Sequence, residues 1–112
     1  VMTALANDEG YEAMFADQLK VHFRDGDSLV AISASGNSPN VIAAVEYAKF
    51  RGATIVGLTG FDGGKLRRLS DISLHVATEK GEYGPVEDMH MIFDHLIGSY
   101  LVAKVRREYA AD

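Results

Sequence analysis

The feature that most constrains the fold of this chain is a series of short apolar runs, each followed by a turn. The first two occupy residues 29–32 and 54–58, a third strand is predicted at residues 72–76, and helical patterns lie between and beside them. Continuous apolar runs of this length are typical of strands that are buried on both faces of a parallel sheet. Strands that alternate with helices favour right-handed crossovers between parallel neighbours. The expected fold class is therefore α/β, with a parallel sheet flanked by helices.

Apolar residues at helical spacing predict the helices of this fold. The predicted helices cover residues 8–23, 39–51, 65–69 and 85–109, and Asn7 or Asp8 is expected to cap the first. Pro39 and Gly52 are typical start and stop residues for the second helix. The last helix is long and carries an apolar stripe that is predicted to be buried, comprising Val86, Met89, Phe93, Leu96, Ile97, Tyr100 and Val105.

Length and composition narrow the class of protein. Residues 1–112 are predicted to form a single domain, because the length suits one domain and no pattern marks an internal boundary. The net charge of −5 argues against nucleic acid and anionic membranes as partners. The sequence contains no cysteine, which excludes disulfides and thiolate metal sites within it and fits a cytoplasmic location. No apolar run reaches the roughly 18 residues that a membrane span requires.

Residues 33–38, Ser-Ala-Ser-Gly-Asn-Ser, are the most informative segment and are called the serine loop below. They follow the first predicted strand, and ligands of open α/β sheets bind beyond the carboxyl ends of strands. The helix that begins at Pro39 offers unpaired N–H groups and a partial positive charge, and Ser33, Ser35 and Ser38 add hydroxyl groups. This combination predicts a phosphate site that needs no lysine. An ordinary serine-rich turn before a capped helix would show the same pattern.

The serine loop resembles the phosphate loop of SIS (sugar isomerase) domains. Residues 57–65, Gly-Leu-Thr-Gly-Phe-Asp-Gly-Gly-Lys, resemble the next strand-to-helix turn in the phosphoheptose isomerase branch of that family, and residues 4–15 and 86–96 are also similar to it. The resemblance implies a flavodoxin-like parallel sheet. It further implies a homotetramer or dimer with active sites at subunit interfaces, which converts sedoheptulose 7-phosphate, a ketose, into an aldose through an enediol.

The resemblance also implies roles for individual residues. The residues implied to bind substrate or its phosphate are Ser33, Ser35, Ser38, Asn37, Asn7 and Asp8. His95 is implied to be a catalytic or zinc-binding residue. Glu87 is implied to be a second catalytic residue, which contacts both the substrate and the metal ion. Zinc is therefore an expected cofactor, with Glu87 and His95 as its candidate ligands in this chain.

The sequence departs from the family pattern at several points. Ala34 stands where the family loop often has threonine, Glu87 replaces a glutamine, and Gly84 lies where a polar substrate contact is usual. The resemblance implies that the first half of the family domain, with the presumed general base and two metal-site residues, precedes the segment present here. The 112 residues are therefore expected to be part of a longer chain.

The polar residues of the last helix have competing explanations. His95 suits proton transfer between substrate oxygens near neutral pH, but a histidine beside an apolar stripe is also often a packed core residue. Glu87 would be favoured at a helix N-terminus without any role in catalysis. On a straight helix the two residues differ by about 12 Å of rise and about 80° of rotation, so a shared metal ion requires a distorted turn or a second subunit. His90 and Asp94 are predicted to form a surface ion pair.

Three functions are compatible with these features. The first is the ketose–aldose isomerase. The second is a non-catalytic phosphosugar-binding or scaffolding protein, since some relatives in this branch associate with a bacterial replication initiator, and Ala34 and Glu87 would fit such divergence. The third is isomerisation of another sugar phosphate, because the serine loop would recognise the phosphate and not the length of the sugar.

Overall fold

The computed structural model of the chain describes residues 11–109. Its elements, in chain order, are a 3-10 turn (Tyr11–Ala13), α1 (Met14–His22), β1 (Ser28–Ser33), α2 (Pro39–Phe50), β2 (Thr54–Thr59), α3 (Gly64–Leu69), β3 (Ile72–His75) and α4 (Tyr83–Tyr109). Every predicted strand and helix is present, with bounds that differ by a few residues. The predicted cap at Asn7 or Asp8 lies outside the described residues.

The three strands form one parallel sheet in the order β1-β2-β3, which confirms the predicted α/β class. Their register places the last residues of the strands side by side. Ser33 lies opposite Thr59, and Thr59 lies opposite His75. A row of polar residues therefore crosses the carboxyl edge of the sheet, where the serine loop begins.

The core lies between one face of the sheet and helices α1, α2 and α3. Ala31 of β1 and Ile55 of β2 point into it. The other buried members are Ile42, Val45, Ala48 and Leu66, and partly buried side chains of α1, including Leu19, pack against them. Helix α2 ends as predicted, since Gly52 has a φ of 81° and its N–H bonds the carbonyl of Lys49 at 2.9 Å.

The prediction that the strands are buried on both faces is wrong for the first strand. Val30 and Ile32 of β1 are 50% and 51% exposed, so residues 11–109 cover them only in part. An apolar run indicates that both faces of a strand are suited to burial. It does not identify the segment that buries them.

The predicted buried stripe of the last helix is confirmed at Val86 and wrong for most of its later part. Val86 and His90 are the buried residues of α4, whereas Leu96, Tyr100 and Val105 are more than half exposed. With 27 residues the helix is about 40 Å long, which carries most of it beyond the small sheet. None of the helices in the described part of the chain is long and apolar enough to cross a membrane.

Candidate functional site

The serine loop gathers its three hydroxyl groups at the carboxyl end of β1. Ser33 Oγ lies 2.9 Å from Ser38 Oγ and 3.5 Å from Ser35 Oγ. The loop closes by a turn in which the N–H of Gly36 donates to both the carbonyl and the hydroxyl oxygen of Ser33, each at 3.1 Å. The structure thus brings together the three serines that the sequence singles out. Their hydroxyls form a compact polar patch at the N-terminus of α2, where an anion is favoured.

Ser38 occupies the N-cap position of α2, but its hydroxyl makes no capping hydrogen bond. It bonds the hydroxyl of Ser33 instead. Pro39 takes the first helical position, as predicted, and its missing N–H needs no partner there. The sequence pattern of an N-cap is therefore present, while the hydroxyl itself is directed to the serine cluster.

A second loop, residues 60–66, is hydrogen-bonded to the serine loop. The N–H of Gly60 donates to the carbonyl of Ala34 at 2.8 Å, and the N–H of Leu66 donates to the carbonyl of Gly36 at 2.8 Å. Asn37 contributes through its side chain, whose Oδ1 accepts from the N–H of Lys65 at 2.9 Å. Asn37 was predicted to bind substrate. In the structure its side-chain oxygen instead helps to hold the serine loop against the second loop.

Thr59 joins three elements at the edge of the sheet. Its hydroxyl lies 2.8 Å from Nδ1 of His75, and its carbonyl accepts from Nε2 of His90 at 3.0 Å. Burial lowers the pKa of His75, and the nearby positive charge of Arg67 lowers it further. Because a carbonyl only accepts, the His90 imidazole must carry its proton on Nε2 in this contact. The fully buried Thr59 is thus a junction between β2, β3 and α4.

The predicted surface ion pair between His90 and Asp94 is wrong. His90 is 5% exposed and bonds Thr59, and no salt bridge joins it to Asp94 within the part of the chain that the structure describes. The sequence did not indicate that Thr59 and His90 are in contact, because this contact depends on how α4 packs against the sheet. Thr59 alone had a usable signal, since it is the polar residue that ends a buried strand.

A cleft of about 470 Å³ opens beside the serine loop. Ser35 and Asn37 line one side, and residues 78–81 line another. Phe61 and Tyr83 complete its wall as an edge-to-face pair with ring centroids 5.0 Å apart. This volume lies within the range of about 300–1,000 Å³ that is usual for small-ligand sites. The cleft is therefore a candidate site for the part of a ligand that extends beyond a phosphate group.

Neither of the two predicted catalytic residues on α4 lines this cleft. Glu87 and His95 are both exposed, and His95 lines a shallow surface depression on α4 with Ser99 and Arg106. No group of three or more His, Asp or Glu side chains within residues 11–109 is arranged to hold a metal ion. The described residues of one chain therefore do not form the expected zinc site by themselves. The other predicted substrate residues, Asn7 and Asp8, lie outside the described residues.

The fold and the site define a class of protein, the parallel α/β domains that carry a hydroxyl-lined loop between a strand and a helix N-terminus. Comparison with protein families identifies the family within this class. Residues 1–60, more than half of the chain, match the model of the SIS domain. The chain belongs to the SIS domain family.

Individual relatives and solved structures agree with this assignment. The chain is 41% identical over 97 residues to the phosphoheptose isomerase of Aneurinibacillus thermoaerophilus, covering 87% of this chain and 48% of that protein. It is 40% identical over 96 residues to the phosphoheptose isomerase of Rhodospirillum rubrum, covering 86% of this chain and 50% of that protein. The solved phosphoheptose isomerase of Neisseria gonorrhoeae superposes with a TM-score of 0.76 at 36% identity, over 85% of this chain and 53% of that one. The chain therefore spans about half the length of the relatives it matches.

Proposed function

We propose that the protein containing this chain is a sugar-phosphate isomerase whose substrate is sedoheptulose 7-phosphate or a similar ketose phosphate. The observation that carries the proposal is the cluster of Ser33, Ser35 and Ser38 hydroxyls at the N-terminus of α2, with a ligand-sized cleft beside it. The similarity to phosphoheptose isomerases supports the same substrate class. Each of these relatives is about twice as long as this chain, so the activity belongs to the longer protein.

In this proposal the serine loop binds the phosphate. Each serine hydroxyl exchanges its bond to another serine for a bond to a phosphate oxygen, and the α2 N-terminus adds its partial positive charge. Ala34 supplies no hydroxyl, so this loop offers one donor fewer than the family pattern. Asn37 keeps the loop in shape through its bond to Lys65, which limits the rearrangement that binding requires.

The reaction moves a proton from C1 to C2 of the open-chain ketose through an enediol, while a second proton passes from the C1 oxygen to the C2 oxygen. We assign the transfer between the oxygens to His95, since histidine exchanges protons near neutral pH. Glu87 is proposed to contact the substrate as well. Because both side chains are exposed and lie outside the cleft, they reach a substrate on a neighbouring subunit or on a segment outside residues 11–109.

Zinc binding is a separate proposal. Glu87 and His95 would contribute one ligand each, and the remaining ligands would come from outside the described residues. No step of the reaction above depends on the metal ion. The metal content of the purified full-length protein, compared with that of a His95→Ala variant, tests this assignment.

We further propose that the protein assembles with copies of itself, as a tetramer or dimer, and acts in the cytoplasm. The support for assembly is the apolar surface of α4, where Leu96, Leu101 and Val105 are all more than half exposed. Since α4 also carries His95, assembly through this helix would place His95 at a subunit interface. The absence of cysteine from the sequence fits a reducing compartment.

The decisive experiment measures isomerisation of sedoheptulose 7-phosphate by the full-length protein, with the aldose product followed by NMR. Ser35→Ala is expected to raise KM by about ten- to hundredfold, because it removes a hydrogen bond to a charged group. Ser73→Ala, an exposed serine on β3, is the matched control and should leave KM unchanged. His95→Ala should lower kcat instead.

An unchanged KM for Ser35→Ala would contradict the proposed phosphate site. Binding of the sugar phosphate without turnover by the full-length protein would favour the non-catalytic phosphosugar-binding protein instead.

A further inference from the structure

Phe61, next to the serine loop, has a backbone conformation that its side chain disfavours. Its φ is 51°, and among residues 11–109 it is the one non-glycine residue with a positive φ. The left-handed region is unfavourable for any residue with a Cβ and especially for a bulky one. Strain of this kind persists where the surrounding structure fixes it, and it concentrates at functional sites.

The hydrogen bonds on either side of Phe61 explain why the conformation persists. The N–H of Gly60 bonds the carbonyl of Ala34 in the serine loop, and the N–H of Gly63 bonds the carbonyl of Gly60, both at 2.8 Å. The carboxylate of Asp62 accepts from the N–H of Gly64 at 2.9 Å. The turn is thus closed from both sides, and a glycine at position 61 would suit it better than a phenylalanine.

The ring of Phe61 lies in the wall of the cleft. It meets the ring of Tyr83 edge to face, with an interplanar angle of 80°, and both rings line the cleft together with Ser35. Tyr83 is 50% exposed, so the pair forms an aromatic surface that faces solvent and is not part of the core. Phe61 is only partly buried and lies in the wall of an open cleft, so the strained position of its ring points to a ligand contact as the reason for it.

We propose that Phe61, supported by Tyr83, is a specificity-determining residue that contacts the carbon chain of a phosphosugar whose phosphate lies in the serine loop. This inference rests on the proposed function. The C–H groups of a sugar chain pack against an aromatic ring and displace water from it, whereas a free phosphate ion has no such groups. Phe61 therefore distinguishes a sugar phosphate from phosphate alone.

The test compares two probes, inorganic phosphate and sedoheptulose 7-phosphate, by titration calorimetry on the full-length protein. In Phe61→Gly the affinity for sedoheptulose 7-phosphate should fall about tenfold, while the affinity for inorganic phosphate stays within about twofold of the wild type. The thermal midpoint should stay the same or rise, since glycine accommodates the φ of this turn. Phe61→Tyr, which keeps the ring, should retain the affinity for both probes.

Two results would overturn the inference. One is a Phe61→Gly variant that binds sedoheptulose 7-phosphate as tightly as the wild type does. The other is an equal loss of affinity for both probes together with a lower thermal midpoint, which would identify Phe61 as a residue that only supports the fold. Failure of the proposed function would look different, because Ser35→Ala would then leave the affinity for inorganic phosphate unchanged.

Discussion

At the residue scale, the contact between the two loops of the site depends on Gly36. Its φ of 73° lies in the left-handed region, and a Cβ at this position would overlap the carbonyl oxygen of Gly63. The backbone of the serine loop therefore lies directly against the turn that carries Phe61. Gly52, at the end of α2, offers a comparison, since its φ is 81° but a Cβ there would meet nothing within 4 Å.

The pair of glycines separates the cost of backbone conformation from the cost of steric overlap. Gly52→Ala should lower the free energy of unfolding by about 1 kcal/mol, which is the penalty for a Cβ in the left-handed region. Gly36→Ala should lower it by about 3 kcal/mol, since the two loops must also move apart. Urea denaturation of the full-length protein measures both changes. Equal losses in the two variants would show that the loops do not need to touch.

At the element scale, α4 is attached to the domain at its first two turns. Val86 packs over Gly60, where an added Cβ would collide with the valine side chain. One turn later His90 bonds the carbonyl of Thr59, which also accepts from the N–H of Val76 at 3.0 Å. These contacts set the direction of the helix, and with it the positions of Glu87 and His95.

Replacement of His90 tests this attachment. His90→Leu should lower the free energy of unfolding by about 1 kcal/mol, because Thr59 loses one of two donors, and hydrogen exchange should become faster in the first half of α4. His90→Gln keeps an N–H donor at a similar reach, so exchange in that variant should stay close to the wild-type rate. Equal protection of α4 in both variants would show that the contact with Thr59 does not hold the helix.

At the scale of the whole molecule, the described chain leaves two apolar surfaces uncovered. One is the outer face of β1, with Val30 and Ile32, and the other is the length of α4. Exposed apolar residues lie on nearly opposite sides of that helix, since Leu96 and Tyr100 are on one side and Leu101 and Val105 on the other. A helix that is apolar on several sides is typically buried on several sides. The exposed apolar area supports the assembly proposed above, in which α4 packs against another subunit.

The assembly proposed above predicts that a charge in the middle of α4 separates the subunits. Leu101→Glu should shift the full-length protein to a smaller species in light scattering coupled to size-exclusion chromatography, because a carboxylate cannot be buried unpaired at low cost. Val21→Glu introduces the same charge at an exposed apolar residue of α1, away from α4, and should leave the mass unchanged. A wild-type protein that is already monomeric would contradict the proposal.

Local patterns in the sequence were enough to predict the helices, the strands and the serine loop. The signals that predict them are local, because each involves residues that are close together in the sequence. They are the apolar periodicity, Pro39, Gly52 and the spacing of the loop serines. The same local signals were misleading for two residues. The hydroxyl of Ser38 bonds Ser33 and does not cap the helix, and His90 bonds the carbonyl of Thr59 and not the predicted partner Asp94.

Which polar residues come into contact depends on the tertiary structure. The bond between Thr59 and His75 joins residues 16 positions apart through strand register, and the bond between Thr59 and His90 joins residues 31 positions apart through helix docking. Tyr83 meets Phe61 for the same reason, since α4 begins over the turn that follows β2. Which apolar residues are buried also depends on the tertiary structure. An apolar stripe such as that of α4 specifies that a surface needs a partner, whereas the three-dimensional arrangement decides which partner is within reach.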